Sequence, residues 1–284
     1  IEDSATRYHP NLMVVYGYLG VAYARVGSWK RALDAAEHGV EIAKEQGAAS
    51  KITFALAPLA YVQAARQNWA QCFKTLSAAP TPLDEEREFT PLLFIMSSLR
   101  GYTQARLDET EEGIKAIHKS LNWVEKNNYQ VFRYLPRIFL AESLLLTNEI
   151  SEAKKQAERA LKDARESGNR WAVGVTLRIL GEILSQEAKP NWLQMEEYLR
   201  ESLRILRRIR ARPDLARTYL ALRRLYDRAG QSAWAVDCHF RATSIFDELN
   251  MAEELSLAQG HAAGERKGAV VILDMELKGP DGTG

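Results

Sequence analysis

The sequence predicts an all-α fold, a stack of about six helical hairpins followed by a short non-helical C-terminal tail. Three observations predict it. Five small residues, Gly20, Ala60, Gly101, Ala141 and Gly181, with Arg223 in a sixth place, recur every 40 to 42 positions. A second series, Ala32, Cys72, Gly113, Ala153, Met195 and Ala235, trails the first by 12 residues, or by 14 in the fifth unit. Apolar residues cluster around each member at i, i+3, i+4 and i+7, the spacing of one helical stripe. Small residues spaced this way let paired helices approach to about 8–10 Å, and a period of this length marks a repeat array.

The units run over residues 11–50, 51–89, 90–130, 131–170, 171–212 and 213–250, after a lead-in at 1–10 and before a terminal helix at 251–259. In the first unit Tyr16, Leu19, Gly20 and Tyr23 share a stripe, Gly27 and Ser28 mark the turn, and Ala32, Ala36 and Ile42 carry the return helix to Gly47. The second repeats this with Leu56, Leu59, Ala60 and Gln63, a polar turn at Gln67 and Asn68, then Trp69, Cys72 and Leu76. Pro80 and Pro82 end it. The third runs from about Thr90 to Arg106, turns through Leu107 and Asp108, and returns through Gly113, Ile117 and Leu121. It fits least well, because Arg100 occupies a normally apolar place.

In the fourth unit Leu140, Ala141 and Leu144 precede Asn148, and Ala153, Ala157, Ala160 and Leu161 follow, until Ser167, Gly168 and Asn169 stop the helix. The fifth has Leu177, Leu180, Gly181 and Leu184, then a turn from Glu187 to Asn191 whose extra residues explain the longer offset before Trp192, Met195, Leu199 and Leu203. An insertion is tolerated in a loop. The sixth carries Tyr219, Leu222, Arg223 and Tyr226, a turn at Gly230, then Ala235, His239, Ala242 and Phe246. After Gln259 the period fails. Residues 260–284 read as a linker, Gly260 to Gly268, and a β-prone or disordered tail containing Val270, Val271, Ile272 and Leu273.

Composition narrows the function classes. With 38 basic and 37 acidic side chains, no global field draws the chain to nucleic acid or an anionic membrane, and no apolar run reaches membrane-spanning length. Cys72 and Cys238 fall within the apolar pattern of predicted helices and read as small buried side chains in a reducing compartment. The opening Ile-Glu-Asp lacks Met and a leader pattern, which reads as a fragment of a longer cytoplasmic polypeptide. The five histidines, His9, His38, His118, His239 and His261, lack metal-site spacing, and no phosphate-binding glycine loop is present. The run Arg204, Arg207, Arg208, Arg210 and Arg212 reads as a solvated helix end, with Glu196, Glu197 and Glu201 one or two turns before it. Trp29, Trp69 and Trp192 share a repeat place after a turn, which points to packing.

The stripe Tyr16, Leu19, Gly20 and Tyr23 followed by Ala32 resembles the tetratricopeptide repeat, whose first helix carries an aromatic, Leu-Gly and Tyr and whose second carries Ala. The resemblance covers residues 11 to about 250; the units are longer than the family's usual repeat of about 34 residues. It implies a right-handed α-α superhelix, similar to the extended C-terminal arrays of bacterial multidomain signalling proteins of the signal-transduction ATPase, nucleotidyl cyclase and kinase types. In such arrays the first helices line a concave groove. Alignment puts Arg25, Tyr61, Tyr102, Arg106, Glu142, Arg178, Glu182, Arg224 and Arg228 on or near that face. Arg178 and Glu182 can equally pair with each other at i and i+4. The chaperone-binding subfamily's carboxylate clamp is not matched, since its places hold Gly17, Val21, Pro58, Ile95 and Leu99.

The expected function is therefore non-catalytic: a protein or peptide interaction module, sensor or scaffold of a larger cytoplasmic signalling protein, with no metal and no cofactor. Nucleic acid and membrane are disfavoured as partners. The alternative is a self-association module forming a homodimer that brings together an attached catalytic or regulatory domain.

Overall fold

The computed structural model describes residues 11–80 and 91–263, with side chains from 11–80 and 93–259. Among the described residues are thirteen helices: α1 (Leu12–Val26), α2 (Trp29–Glu45), α3 (Ala49–Ala65), α4 (Trp69–Ser77), α5 (Pro91–Arg106), α6 (Thr110–Lys126), α7 (Tyr134–Leu146), α8 (Ile150–Glu166), α9 (Arg170–Leu184), α10 (Trp192–Arg208), α11 (Arg212–Arg228), α12 (Ser232–Glu248) and α13 (Ala252–Ala263). No strand occurs among them. The chain divides into two compact units, residues 1–163 and 164–284, and the division falls inside α8.

In the first unit α1 packs on α2 and α5 on α6 as hairpins. The first helices also touch their successors, α1 on α3, α3 on α5 and α5 on α7, and each second helix covers the following first helix. In the second unit α9 pairs with α10 and α11 with α12, α9 and α10 both touch α11, and α13 lies on α12. This is the connectivity of stacked helical hairpins, in which each meets only its neighbours.

Both phased series of small residues lie in the core. Gly20, Ala60, Gly101, Ala141 and Gly181 are all buried, as are their trailing partners Ala32, Cys72, Gly113, Ala153 and Met195. A Cβ on Gly20 would lie 3.0 Å from the Ala32 carbonyl oxygen. The helices cross where side chains are missing. In the third hairpin the approach is tighter still: a Cβ on Gly101 would lie 2.6 Å from the Gly113 carbonyl oxygen. The unit expected to fit least well has this close backbone crossing, while Arg100 is only half-buried. In the sixth place Arg223 is buried and donates Nε to Asp227 Oδ2 at 3.2 Å and Nη1 to the Ala258 carbonyl at 3.4 Å. A long side chain is accommodated there because α13 supplies an acceptor.

Left-handed residues end the helices with the same period. Gly27 (φ 84°), Gln67 (59°), Asp108 (69°), Asn148 (61°) and Gly230 (70°) close the turns inside hairpins. Gly47 (72°), Asn128 (47°), Gly168 (66°), Arg210 (57°) and Asn250 (53°) close those between them. The next amide then reaches back five residues, as in Ser28 N to Tyr23 O at 2.9 Å, Asn68 N to Gln63 O at 3.0 Å and Gln231 N to Tyr226 O at 2.8 Å, satisfying carbonyls the helix end leaves open. The fifth hairpin is the exception: residues 185–191 hold no left-handed residue.

Four expectations meet a different outcome or lie outside the described residues. α13 continues to Ala263, past Gly260, where a linker was expected to begin; a glycine costs a helix only about 1 kcal/mol and did not end this one. Pro82, Thr90 and the β-prone tail, including Val270 to Leu273, fall outside the described residues.

Candidate functional site

The first helices of each unit carry the candidate groove residues, and the structure links most of them to one another. In the first unit the Arg25 guanidinium of α1 stands 6.0 Å from the centre of the Tyr61 ring of α3. One hairpin further, Arg106 of α5 stands 5.2 Å over Trp69 of α4. Tyr102 meets the same Trp69 edge-on at 5.4 Å, stacks on Phe139 at 4.9 Å, and donates its hydroxyl to Glu142 Oε2 at 2.8 Å. Tyr102, Arg106 and Glu142 thus form one cluster around Trp69, and Arg25 with Tyr61 forms another. Tyr102 is only 8% exposed, so most of its area belongs to packing and its polar end to Glu142. Tyr61 and Arg25 are half-buried and present a cation and an aromatic face side by side.

In the second unit Arg178 Nη1 pairs with Glu182 Oε2 at 2.7 Å, one turn along α9, the intrahelical pairing that the spacing allowed. Arg228 donates Nη1 to the Ser185 carbonyl at 2.7 Å, and Arg224 is exposed on α11. The basic run at the end of α10 is engaged as well: Arg204 lies 3.9 Å from Glu201, Arg207 bonds the Tyr219 hydroxyl, and Arg212 pairs with Glu248.

The tryptophans divide. Trp29 is buried with Arg66 at 6.0 Å over its ring, and Trp69 repeats that arrangement with Arg106. Trp192, expected to pack likewise, is 40% exposed. It begins α10 directly after the long fifth turn, three residues before Met195, the same spacing as Trp29 to Ala32 and Trp69 to Cys72.

Two polar networks were not singled out from the sequence. In the first unit buried Arg137 of α7 donates Nε to Asp163 Oδ2 at 3.0 Å, Nη1 to Gln156 Oε1 at 3.1 Å and Nη2 to Glu125 Oε1 at 2.9 Å. Arg133 adds a 2.6 Å pairing to the other Asp163 oxygen. Arg133 and Arg137, at i and i+4 across the start of a mostly apolar helix, were the available signal. In the second unit Trp171 Nε1 donates to Asp214 Oδ2 at 2.7 Å, while Arg217 bridges Asp214 at 3.2 Å and Glu254 at 2.9 Å. Burial alone would lower the Arg217 guanidinium, but the charges of Asp214 and Glu254 outweigh it and hold the group above its ordinary range. These three acceptor and donor positions are one repeat apart, which makes them a ladder between successive first helices.

Elsewhere burial pushes the Cys72 thiol up to about 11, with the Thr103 hydroxyl at 3.3 Å opposing the shift. Burial, then the hydrogen bond to Glu196, raises the Tyr226 phenol. Both groups are held neutral. Among the described residues no cluster of His, Cys, Asp and Glu could hold a metal ion, and no helix is long and apolar enough to cross a membrane.

This architecture is that of a tetratricopeptide-like helical array. No protein-family model and no curated protein matches the chain. Among solved structures it is similar to a signal-transduction ATPase with numerous domains and a tetratricopeptide repeat sensor from Pyrococcus horikoshii (15% identity, TM-score 0.62), over 91% of this chain but only 41% of that one. It is similar to a Rap protein complexed with competence and sporulation factor (12%, TM-score 0.61; 87% and 80% covered). It also matches PlcR of Bacillus thuringiensis in complex with the peptide PapR7 and DNA (13%, TM-score 0.58; 70% and 71% covered). At these identities the likeness is one of fold.

Proposed function

We propose that the chain is a non-catalytic protein or peptide interaction module, a sensor or scaffold region of a larger cytoplasmic signalling protein, which takes its partner along the face of its first helices. The observation that carries this reading is the half-buried Arg25–Tyr61 pair beside the Trp69, Arg106, Tyr102 and Glu142 cluster. Arginine and tyrosine held by their neighbours offer planar donors and aromatic area at little entropic cost, the residue types enriched at binding hot spots. The Rap protein solved with competence and sporulation factor, and PlcR solved with PapR7, support a peptide as the ligand class.

Selection of a random peptide library on the immobilised chain, followed by calorimetry of the enriched peptide, tests the proposal. Arg25→Ala with Tyr61→Ala should weaken that peptide's binding at least about tenfold while circular dichroism stays unchanged. Equal affinity for the double variant would remove the pair from the site, and a library that yields no enriched peptide would count against the reading itself.

A further inference from the structure

Charge in the first three hairpins is sorted by helix. α1, α3, α4 and α5 contain no Asp or Glu, whereas α2 carries Asp34, Glu37, Glu41 and Glu45, and α6 carries Glu111, Glu112 and Glu125. Each of the three first helices closes on an arginine: Arg25 and Arg106 stand in the last turns of α1 and α5, and Arg66 caps α3. Their guanidiniums lie over aromatic rings, Arg25 over Tyr61 and Arg66 over Trp29, both at 6.0 Å, and Arg106 over Trp69 at 5.2 Å. Among the described residues neither Arg66 nor Arg106 pairs with a carboxylate.

The second unit shows what such arginines do where acceptors are at hand. Arg178 pairs with Glu182, Arg217 with Asp214 and Glu254, and Arg223 with Asp227. Arg228, in the last turn of α11, donates to the Ser185 carbonyl. A cation near a helix C-terminus gains from the dipole, which accounts for one arginine in this place. It does not account for three in successive hairpins on helices that lack any acid.

We propose that this row of arginines receives an acidic peptide segment laid across α1, α3 and α5; the inference rests on the peptide-binding reading above and names the class of its ligand. Successive first helices touch, and packed helices stand about 8–10 Å apart. An extended chain advances that far in three residues, at about 3.3 Å each, so carboxylates at every third position meet successive arginines. The residues between them find an apolar floor, since Val14 and Val21 of α1, Phe54 and Pro58 of α3 and Ile95 of α5 are half-buried. A guanidinium already held against a ring loses less freedom when a carboxylate arrives. Single-stranded nucleic acid, the other polyanion of this reach, binds by stacking its bases on open rings. Trp29 is buried and Trp69 is taken up by Tyr102 and Arg106, so the surface favours a peptide.

Sequencing the peptides that a random library enriches on the immobilised chain reads the ligand class. They should carry Asp or Glu three residues apart, and a synthetic enriched peptide should bind at least about tenfold more weakly once those acids are changed to Asn or Gln. Arg66→Glu with Arg106→Glu should weaken the acidic peptide by a similar factor with circular dichroism unchanged; the substituted peptide reads the same charges without touching the protein. Enriched peptides that are neutral or basic would overturn the acidic class and leave the peptide-binding reading standing, whereas a library with no enrichment defeats both. Equal affinity for the charge-reversed variant would overturn the assignment to Arg66 and Arg106. A dT oligonucleotide of about twelve nucleotides that displaces the peptide at equal concentration would make this a nucleic-acid site and overturn the proposal.

Discussion

A Cβ built on Gly113 would lie 2.3 Å from the Gly101 carbonyl oxygen and 2.8 Å from the Ala105 nitrogen, so α5 and α6 cross with backbone against backbone. Gly20 is less extreme, with its nearest atoms at 3.0 Å. Gly113→Ala is therefore expected to cost about 2–3 kcal/mol, more than Gly20→Ala, whereas Gly20→Leu and Ala141→Leu should each cost about 1–3 kcal/mol. Urea unfolding of the variants checks the order, and unchanged midpoints would contradict the crossings. Cys72 supplies a pH test. Its thiol stays protonated in the folded chain to about pH 11, while in the unfolded chain it ionises near its ordinary value of 9.0. Between those values the unfolded state binds fewer protons, so stability present below pH 9 is lost as pH rises, by about 3 kcal/mol for this group. Cys72→Ala should flatten that alkaline decline; an identical slope in the variant would assign it to other groups.

At the scale of the element, left-handed helix ends decide where each hairpin turns. Glycine or asparagine fills most of these places, but Gln67 and Arg210 adopt the same conformation at φ 59° and 57°. The left-handed region costs a residue bearing a Cβ about 1 kcal/mol, so Gln67→Gly and Arg210→Gly are expected to stabilise by up to that amount. A lowered melting temperature would show that the side chains do more than tolerate the turn. These ends were legible where the residue type spoke, at Gly27, Gly47, Asn148, Gly168 and Gly230. At Gln67 the polar pair with Asn68 was enough, while the left-handed Arg210 was read only as part of a basic run. The end of α13 was misplaced because glycine was given more weight than one residue's propensity can bear. Trp192 keeps the helix register of Trp29 and Trp69 and is exposed all the same.

The whole chain was legible in its period and less so in its contacts. Small residues at matched intervals reveal helix crossings because nothing else fits there. Side-chain networks leave a weaker trace, since a buried arginine is recognisable only once its acceptors are in place. Glu125, Gln156 and Asp163, which come from α6 and α8, were therefore not connected with Arg137 beforehand. The groove candidates all lie on first helices, yet the sequence could not say that Tyr102 spends its hydroxyl on Glu142. Replacing Arg137 with Met leaves Asp163 and Gln156 buried with fewer partners and should cost about 3 kcal/mol. Because each hairpin meets only its neighbours, faster amide exchange is expected in α6, α7 and α8 with little change in α11 and α12. Uniformly faster exchange would mean that the array unfolds as a single cooperative body.

The stretch from Ser185 to Asn191 lacks the left-handed residue that fixes the other turns, and it already carries two residues more than its counterparts. Its length is thus under looser geometric control. A protease recognition sequence or a fluorophore-bearing segment grafted there should leave both flanking helices intact, which makes this loop a practical entry point for splitting the chain or reporting on its motion.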